Sequence, residues 1–244
     1  MHGGLRCRKI FGHAGELIIL PPSVLGSNDF GFPHPENSDA QGLLAIGGDL
    51  SPERILAAYR QGIFPWFEPG SPILWWSPNP RLILNPSDFK LSRSLRQKLK
   101  KPYHFTIDKA FTEVIDACAS SEGRLNKTWI TTGMREAYTK LHQMGYAHSF
   151  EIWLDNQLIG GLYGLSLGRV FFGESMFHRA TDASKLAMYH LCQTATAWNF
   201  DFIDCQLPTT HLQRLGAIII SRREFLRRLE IGLQQPTRQG SWAS

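Results

Sequence analysis

The sequence contains no apolar stretch long enough to cross a membrane. Its strongly apolar segments are short, such as residues 17–20 and 217–220, whereas a bilayer-spanning helix needs about 20 apolar residues. The basic start, residues 1–10, is not followed by the apolar core of a secretory signal. We therefore expect a protein of the cytoplasm.

Cysteine is scarce and scattered. The four cysteines form no C-x-x-C pair, and the nine histidines show no H-E-x-x-H spacing. Disulfide frameworks and structural zinc sites depend on such spacings. We therefore expect a reduced protein that holds no metal ion.

The composition that remains is globular, aromatic-rich and mildly basic. Of the 244 residues, 43% are hydrophobic and 11% are aromatic, which excludes intrinsic disorder. Lysine and arginine total 26 against 21 aspartates and glutamates, so the formal net charge is +5. A basic globular chain favours an anionic partner such as nucleic acid.

Two regions of different texture predict two domains. Residues 1–80 are rich in glycine and proline and indicate a small, loop-rich N-terminal domain, whereas residues 81–244 show regular periodicity. The patterns predict helices at residues 51–61, 92–100, 109–119, 132–144, 183–198, 210–215 and 222–233. They predict strands at residues 147–154, 157–165, 169–173, 200–207 and 217–221. This order is typical of an α+β fold with a mixed sheet.

Three tryptophans lie close together between prolines, at Trp66, Trp75 and Trp76. Rigid aromatic faces on loops offer a stacking surface for a nucleic-acid base. Alternatively, the three tryptophans hold the small domain against the large one.

Polar residues follow apolar strand segments at two places. Glu174 comes directly after one such run, either as the partner of Arg179 or Lys185 or as a carboxylate that receives a cationic substrate group. Asp204 and Gln206 alternate along a predicted strand, so they should share one face. They form either a buried network with Thr209 or His211, or the polar lining of a cleft.

A basic run covers residues 90–101, with six cations in twelve residues. On a helix, Arg93, Arg96 and Lys100 share one face. That face is either simply solvated or contacts RNA phosphates, in which case binding should depend strongly on salt. The later arginine pairs at residues 222–223 and 227–228 are assigned to solvent or to packing.

Several motifs together resemble one family. They are GLLAIGGDL at residues 42–50, GIFPWF at 62–67, WWSP at 75–78, GESMF at 173–177, ASK at 183–185, DCQ at 204–206, HL at 211–212 and LGA at 215–217. In this order they resemble the leucyl/phenylalanyl-tRNA–protein transferases, over roughly residues 42–230.

The resemblance implies a fold and an activity. The fold is a small N-terminal domain plus a GCN5-related acyltransferase-like domain. The activity moves Leu or Phe, with leakage to Met, from aminoacyl-tRNA to the α-amino group of proteins with N-terminal Arg or Lys, which marks them for N-end-rule degradation. Because an aminoacyl ester is already activated, no cofactor is expected, and the sequence has no G-x-x-x-x-G-K-[ST] loop. We expect a monomer.

The resemblance also implies roles for single residues. Gln206 would accept a hydrogen bond from the attacking amine, Asp204 would position that arrangement and relay the proton, and Glu174 would hold the positive end of the acceptor. The aminoacyl pocket would be lined by residues that could equally be plain core, namely Leu162, Phe171, Met176, Leu191 and Ile203. The aminoacyl-adenosine contacts would be Trp66 and Trp129, with Tyr59 and Tyr138 nearby.

Three other classes compete with this reading. A CoA-dependent N-acetyltransferase needs a glycine-rich loop that residues 178–182 (HRATD) lack. A tRNA-dependent peptidoglycan aminoacyltransferase usually has a larger, duplicated domain. An RNA-binding module without catalysis would use the basic run and the tryptophans, but would give no reason for Asp204 and Gln206 behind an apolar pocket.

Overall fold

The computed structural model describes residues 8–11, 17–20, 22–26, 30–120 and 128–243. The strands are β1 (Arg8–Phe11), β2 (Leu17–Leu20), β3 (Ser23–Leu25), β4 (Leu43–Gly47), β5 (Phe64–Pro65), β6 (Leu74–Trp76), β7 (Arg81–Leu84), β8 (His104–Ile107), β9 (Ala147–Leu154), β10 (Gln157–Leu167), β11 (Val170–His178), β12 (Phe202–Gln206) and β13 (Ile218–Ile220). The α-helices are α1 (Pro52–Arg60), α2 (Arg93–Lys98), α3 (Phe111–Ser120), α4 (Thr132–Gln143), α5 (Ala183–Ala197), α6 (Thr210–Arg214) and α7 (Arg222–Leu233).

A mixed seven-stranded sheet forms the larger part of the molecule. Its strand order is β13-β7-β12-β11-β10-β9-β8. Strands β11 and β12 are parallel, and the other neighbouring pairs are antiparallel. A separate four-stranded sheet, β3-β4-β6-β5, belongs to the N-terminal region. The expected α+β fold with a mixed sheet and a small N-terminal domain is confirmed.

The large sheet lies between two helical layers. Side chains of α1, α3, α4 and α7 pack in one apolar cluster, and those of α2 and α5 pack in a second. Neighbouring residues on β11 alternate between them, because Phe171 belongs to the second cluster and Phe172 to the first.

Helix α1 shows how local sequence sets the position of these elements. Pro52 occupies its first turn, where a proline costs no hydrogen bond. Gly62 follows the helix with a φ of +72°, and a Cβ there would lie 2.7 Å from Cε1 of Phe225. Glycine therefore permits both the turn after α1 and its close approach to α7.

The sequence patterns miss two strands of the large sheet, β7 and β8. Strand β7 is a fully buried four-residue run, and a run this short cannot be told from other buried segments by periodicity. Strand β8 lies at the sheet edge and has an exposed residue at its start. The predicted strand at 169–173 continues to His178. Helix α2 ends at Lys98, so Lys100 lies beyond it.

The C-terminal tail packs against the second apolar cluster. Trp242 is only 7% exposed, and its ring stacks on His148 at 3.5 Å between centroids. Its backbone N–H donates to Oδ2 of Asp108 at 2.9 Å. Among the described residues, no helix combines the length and the apolar character that a bilayer crossing requires.

Candidate active site

Strands β11 and β12 run side by side and then separate. Their last paired residues are Phe172 and Asp204, although β11 continues to His178. Each strand bulges just beyond this point, with Glu174 as the extra residue of β11 and Cys205 as the extra residue of β12. Bulges redirect side chains and are frequent next to active sites.

A cavity of about 470 Å³ lies where the two strands separate. The predicted site residues that line it are Trp66, Trp129, Leu162, Glu174, Met176, Leu191, Ile203 and Gln206. The lining residues that were not predicted are Phe64, Pro65, Tyr163, Gly173, Ser175, Met188, Cys205, Leu207, Thr209, His211 and Leu212. The residues named from sequence therefore identify the cavity but only part of its wall, and of the other lining residues only Tyr163, Met188, Leu207 and Thr209 lie outside the quoted motifs.

Other predicted site residues lie outside the cavity wall. Phe171 is buried behind it, paired with Ile203 across the parallel ladder. Asp204, Tyr59 and Tyr138 are also buried. The basic residues Arg93, Arg96 and Lys100 are exposed on α2 and just after it.

Glu174 is held by two buried tyrosines. The hydroxyl of Tyr59 donates to Oε1 of Glu174 at 2.6 Å, and the hydroxyl of Tyr138 donates to Oε2 at 3.0 Å. The two hydroxyls are also 2.6 Å apart. Neither tyrosine lines the cavity, so both act on it through Glu174 in this structure.

The Glu174 carboxyl group and the two tyrosine hydroxyls form a triangle of three short contacts. When the carboxylate is ionised, the triangle holds one contact more than it has protons. Each hydroxyl carries one proton, so Tyr59 and Tyr138 supply two protons for the three short contacts. A proton on Glu174 completes the set, because one tyrosine hydroxyl then accepts from the carboxyl group and donates to the other hydroxyl. The triangle therefore accommodates Glu174 in its protonated form without losing a contact.

The electrostatic surroundings of Glu174 agree with this count. Burial raises the pKa of Glu174 to about 7, the hydrogen bonds from Tyr59 and Tyr138 lower it, and the charge of Asp204 raises it. Burial also raises the pKa of both tyrosines well above the usual value, so their hydroxyls keep their protons. Glu174 can thus change its protonation state near neutral pH.

Gln206 is oriented from both its backbone and its side chain. Its φ is +62°, a conformation that is uncommon for residues other than glycine and often marks functional sites. Its backbone N–H donates to Oδ1 of Asp204 at 2.9 Å, and its Nε2 donates to Oε1 of Glu174 at 3.0 Å. Because the amide nitrogen faces Glu174, the amide oxygen is left to accept a hydrogen bond.

Asp204 and Gln206 have different partners, and of the two only Gln206 lines the cavity. The bulge at Cys205 interrupts the regular alternation of β12, and Ile203, Cys205 and Gln206 all line the cavity. Asp204 is buried, and Arg81 donates to it from Nε and Nη2 at 2.9 and 2.6 Å. The partners considered from sequence, Thr209 and His211, are replaced by Arg81.

The sequence gives only a weak signal for Arg81. An arginine that opens the apolar run RLIL is unusual, and it is fully buried at 1% exposure. Its guanidinium lies 4.8 Å from the ring centre of Phe64 and 4.3 Å from that of Phe225. A buried guanidinium needs a carboxylate partner. This requirement is the signal from which a pairing of Arg81 with Asp204 could have been predicted.

The three clustered tryptophans have different roles. Trp75 is fully buried and donates from Nε1 to the carbonyl of Gly47, so it fastens the N-terminal sheet. Trp66 is 42% exposed and lines the cavity. Trp76 supports Trp66, since their ring centres are 5.8 Å apart and its Nε1 donates to the Trp66 carbonyl.

The cations considered as partners of Glu174 bind elsewhere. Arg179 donates to the carbonyl of Leu158, and Lys185 pairs with Asp182 at 2.6 Å. Arg222 is buried and bonds to residues of the N-terminal region, with an Nη1 contact of 2.6 Å to the Ser77 carbonyl. This agrees with its assignment to packing.

Residues 30–120 and 128–243 contain no group of three or more histidine, cysteine, aspartate or glutamate side chains that could hold a metal ion. The apolar cavity has a carboxylate–amide pair in its wall and lies beside the carboxyl ends of two parallel strands. These features are typical of an enzyme site that binds and orients organic groups.

Two family models match consecutive parts of the chain. The leucyl/phenylalanyl-tRNA protein transferase N-terminal domain matches residues 48–79, and the leucyl/phenylalanyl-tRNA protein transferase model matches residues 83–230. The chain belongs to the leucyl/phenylalanyl-tRNA–protein transferase family, which confirms the resemblance found in the motifs.

Individual relatives agree over most of the chain. The leucyl/phenylalanyl-tRNA–protein transferase of Legionella pneumophila (strain Paris) is 64% identical over 216 residues, which cover 88% of this chain and 97% of that protein. The protein of the same name from Lawsonia intracellularis is 53% identical over 221 residues, which cover 90% of this chain and 97% of that protein.

A solved structure, L-PGS from Bacillus licheniformis, is 9% identical to this chain with a TM-score of 0.38. The match covers 68% of this chain and 54% of that one.

Proposed function

We propose that this protein transfers Leu or Phe, with leakage to Met, from aminoacyl-tRNA to the α-amino group of proteins that begin with Arg or Lys. The observation that carries the proposal is the contact between Gln206 and Glu174 in the wall of an apolar cavity. The names of the relatives support the donor and the protein acceptor. Marking for N-end-rule degradation would follow from that reaction.

The donor would occupy the cavity. Its volume of about 470 Å³ is within the range of roughly 300–1,000 Å³ that is usual for small-ligand sites. Leu162, Met176, Leu191 and Ile203 would surround an apolar aminoacyl side chain. The half-exposed ring of Trp66 would stack on the terminal adenine, a contact that needs no particular hydrogen-bond pattern.

The reaction moves one proton from nitrogen to oxygen. The amine attacks the ester carbonyl carbon, a C–N bond forms, and the C–O bond to the ribose breaks. The Gln206 amide oxygen accepts a hydrogen bond from the amine and aims its lone pair. Glu174 receives the proton that the nitrogen loses and passes it on to the ribose oxygen as that oxygen leaves, so atoms and charge balance and Glu174 is ionised again.

Glu174 is better suited than Asp204 to take that proton. Both Asp204 oxygens are bonded to Arg81, so Asp204 acts as a positioning residue that fixes the backbone of Gln206. Glu174 has a pKa raised to about 7 by burial, close to the range in which an amine with a pKa of roughly 7.7–8.0 loses its proton. In its ionised form Glu174 also attracts the cationic first residue of the acceptor.

The remaining expectations complete the proposal. We place the boundary between the two domains near residue 80, which is supported by the gap between the two matched family regions. The enzyme would act as a monomer in the cytoplasm and need no cofactor, because the ester itself supplies the driving force.

Transfer of radiolabelled Leu from Leu-tRNA to a peptide that begins with Arg tests the proposal. A peptide that begins with Ala serves as the acceptor control. We expect label on the Arg peptide alone, and loss of most of it in Gln206→Ala but not in Gln157→Ala, an exposed glutamine on β10. Absence of label with folded wild-type protein, or equal labelling of both peptides, contradicts the proposal.

A further inference from the structure

Basic side chains gather beside the cavity on a surface that the proposed function has not yet used. His211 lines the cavity and lies on α6, three residues before Arg214, so the two are on the same side of the helix. Both are exposed. We call Lys185, His211 and Arg214 the mouth cluster.

A salt bridge ties this cluster to the basic run. Nζ of Lys185 lies 2.6 Å from Oδ1 of Asp182, and Nζ of Lys98 lies 2.9 Å from Oδ2 of the same carboxylate. Lys98 also donates to the carbonyl of Thr181 at 2.7 Å. Helix α2, which carries Arg93 and Lys98, is therefore joined directly to the start of α5.

The charges around the mouth cluster act on the imidazole of His211. Burial lowers the pKa of His211, and the charges of Lys185, His178 and Arg214 lower it further, while Asp182 raises it. These charges are thus close enough to act on the same imidazole. The Asp182 carboxylate is shared by Lys98 and Lys185, so these three side chains carry a net positive charge. Arg214 adds a further cation.

We propose that the mouth cluster binds the phosphodiester nearest to the aminoacylated end of the RNA, and that α2 binds phosphates further along the same strand. The inference rests on the proposed function and deepens it, because it assigns a path to the donor. The strand would pass from α2 over the start of α5 into the cavity.

The arrangement suits a phosphodiester strand better than a single small anion. Phosphates along a strand repeat, and a row of cations on two joined elements matches that repeat. His211 in its neutral form can donate one N–H to a phosphate oxygen, and Arg214 offers a two-point contact. The adjoining cavity offers an apolar wall to the aminoacyl side chain and the ring of Trp66 to the terminal adenine, and neither of these groups carries a charge.

Donor analogues with different numbers of phosphates test this path. The probes are non-hydrolysable amide-linked leucyl-adenosine without phosphate, the corresponding leucyl-CpA dinucleotide with one phosphodiester, and a leucyl minihelix. Binding is measured at several salt concentrations for wild type, Lys185→Gln, Arg214→Gln and Lys140→Gln. Lys140 is an exposed lysine on α4, in the other helical layer, and serves as the matched control.

We expect Lys185→Gln and Arg214→Gln each to weaken binding of the dinucleotide and the minihelix about tenfold. The dependence of log Kd on log salt should become shallower by about 0.7 for each lost contact. Binding of the phosphate-free probe and all binding by Lys140→Gln should not change.

Three results would overturn the path. Wild type that binds the phosphate-free probe as tightly as the dinucleotide has no phosphate site at the mouth. If the variants lose affinity equally for the phosphate-free probe and for the dinucleotide, the substitutions have damaged the cavity itself. Unchanged binding of every probe means that the cluster makes no contact. Transfer of Leu by wild type in the same preparation separates these outcomes from failure of the proposed function.

Discussion

Arg81 and Asp204 form a two-point ion pair in the interior, with both side chains at or below 1% exposure. The residues are 123 positions apart in the sequence. Oδ1 of Asp204 also accepts the backbone N–H of Gln206. The pair therefore connects the core of the sheet to the orientation of a residue in the cavity wall.

Replacement of Arg81 tests this connection. Arg81→Met leaves the Asp204 carboxylate buried without its partner, which should lower the free energy of unfolding by about 3–5 kcal/mol. The double variant Arg81→Met/Asp204→Leu should regain much of that stability, since buried ion pairs can often be replaced by apolar groups. It should not regain transfer, because the N–H of Gln206 has lost its acceptor. Urea unfolding and the transfer assay measure the two effects, and full activity of the double variant would show that the pair is only structural.

The pH dependence of transfer should follow Glu174. Because its pKa is raised to about 7 by burial, the rate should rise as the pH increases through 7, where the carboxyl becomes ionised and can accept a proton. Glu174→Gln should lower the rate by about 10²–10⁴ and leave only the ionisation of the amine in the profile. Glu230→Gln, at an exposed position on α7, is the control. A step near pH 7 that persists in Glu174→Gln assigns it to another group.

The same group predicts a change in stability with pH. The folded protein holds this proton up to about pH 7, whereas an unperturbed glutamate has a pKa of 4.5 and loses its proton earlier. The stabilising contribution is therefore complete below pH 4.5 and is lost as the pH rises through 7. Glu174→Gln should flatten this decline, which urea midpoints at pH 4.5, 6 and 8 would show. An unchanged decline would indicate that Glu174 is ionised in the folded protein throughout.

Regular periodicity explains which parts of the fold could be predicted from sequence. Strand β9 and helix α7 have the predicted bounds, because each shows a clean repeat over eight or more residues. Strand β7 is only four residues long and buried throughout, so no repeat distinguishes it. Its partner strands come from residues far along the chain, and local patterns carry no information on them.

The same limit applies to the site. Glu174 and Gln206, which the motifs single out, both line the cavity. The partner of Asp204 could not be predicted, because Arg81 lies 123 positions away in the sequence, and the bulge at Cys205 leaves no periodic signal of its own. The ties from Tyr59 and Tyr138 to Glu174 join α1, α4 and β11, and such tertiary contacts have no signature in sequence spacing.

Two neighbouring tryptophans should separate binding from stability. Trp66 lines the cavity at 42% exposure, whereas Trp75 is fully buried. Trp66→Ala should weaken binding of aminoacyl-adenosine by about 1–3 kcal/mol, the usual contribution of base stacking, with little change in unfolding. Trp75→Ala should instead lower the free energy of unfolding by about 3–5 kcal/mol. Calorimetric titration and urea unfolding measure both, and equal destabilisation by the two substitutions would assign Trp66 to packing as well.

The C-terminal tail should influence which amino acid is transferred. Trp242 packs against Phe150 and Phe171, with ring centres 6.3 Å apart in both pairs, and Phe171 is paired with the lining residue Ile203. Trp242→Ala leaves a space behind this wall, so the cavity should admit Phe more readily relative to Leu, while the free energy of unfolding falls by about 3–5 kcal/mol. Trp242→Phe keeps an aromatic ring in place and should retain the wild-type preference. The ratio of kcat/KM for Phe-tRNA and Leu-tRNA, measured where both variants are folded, distinguishes the two roles. A ratio that does not move in Trp242→Ala means that the tail supports the sheet without shaping the pocket, because loss of stability alone changes both donors equally.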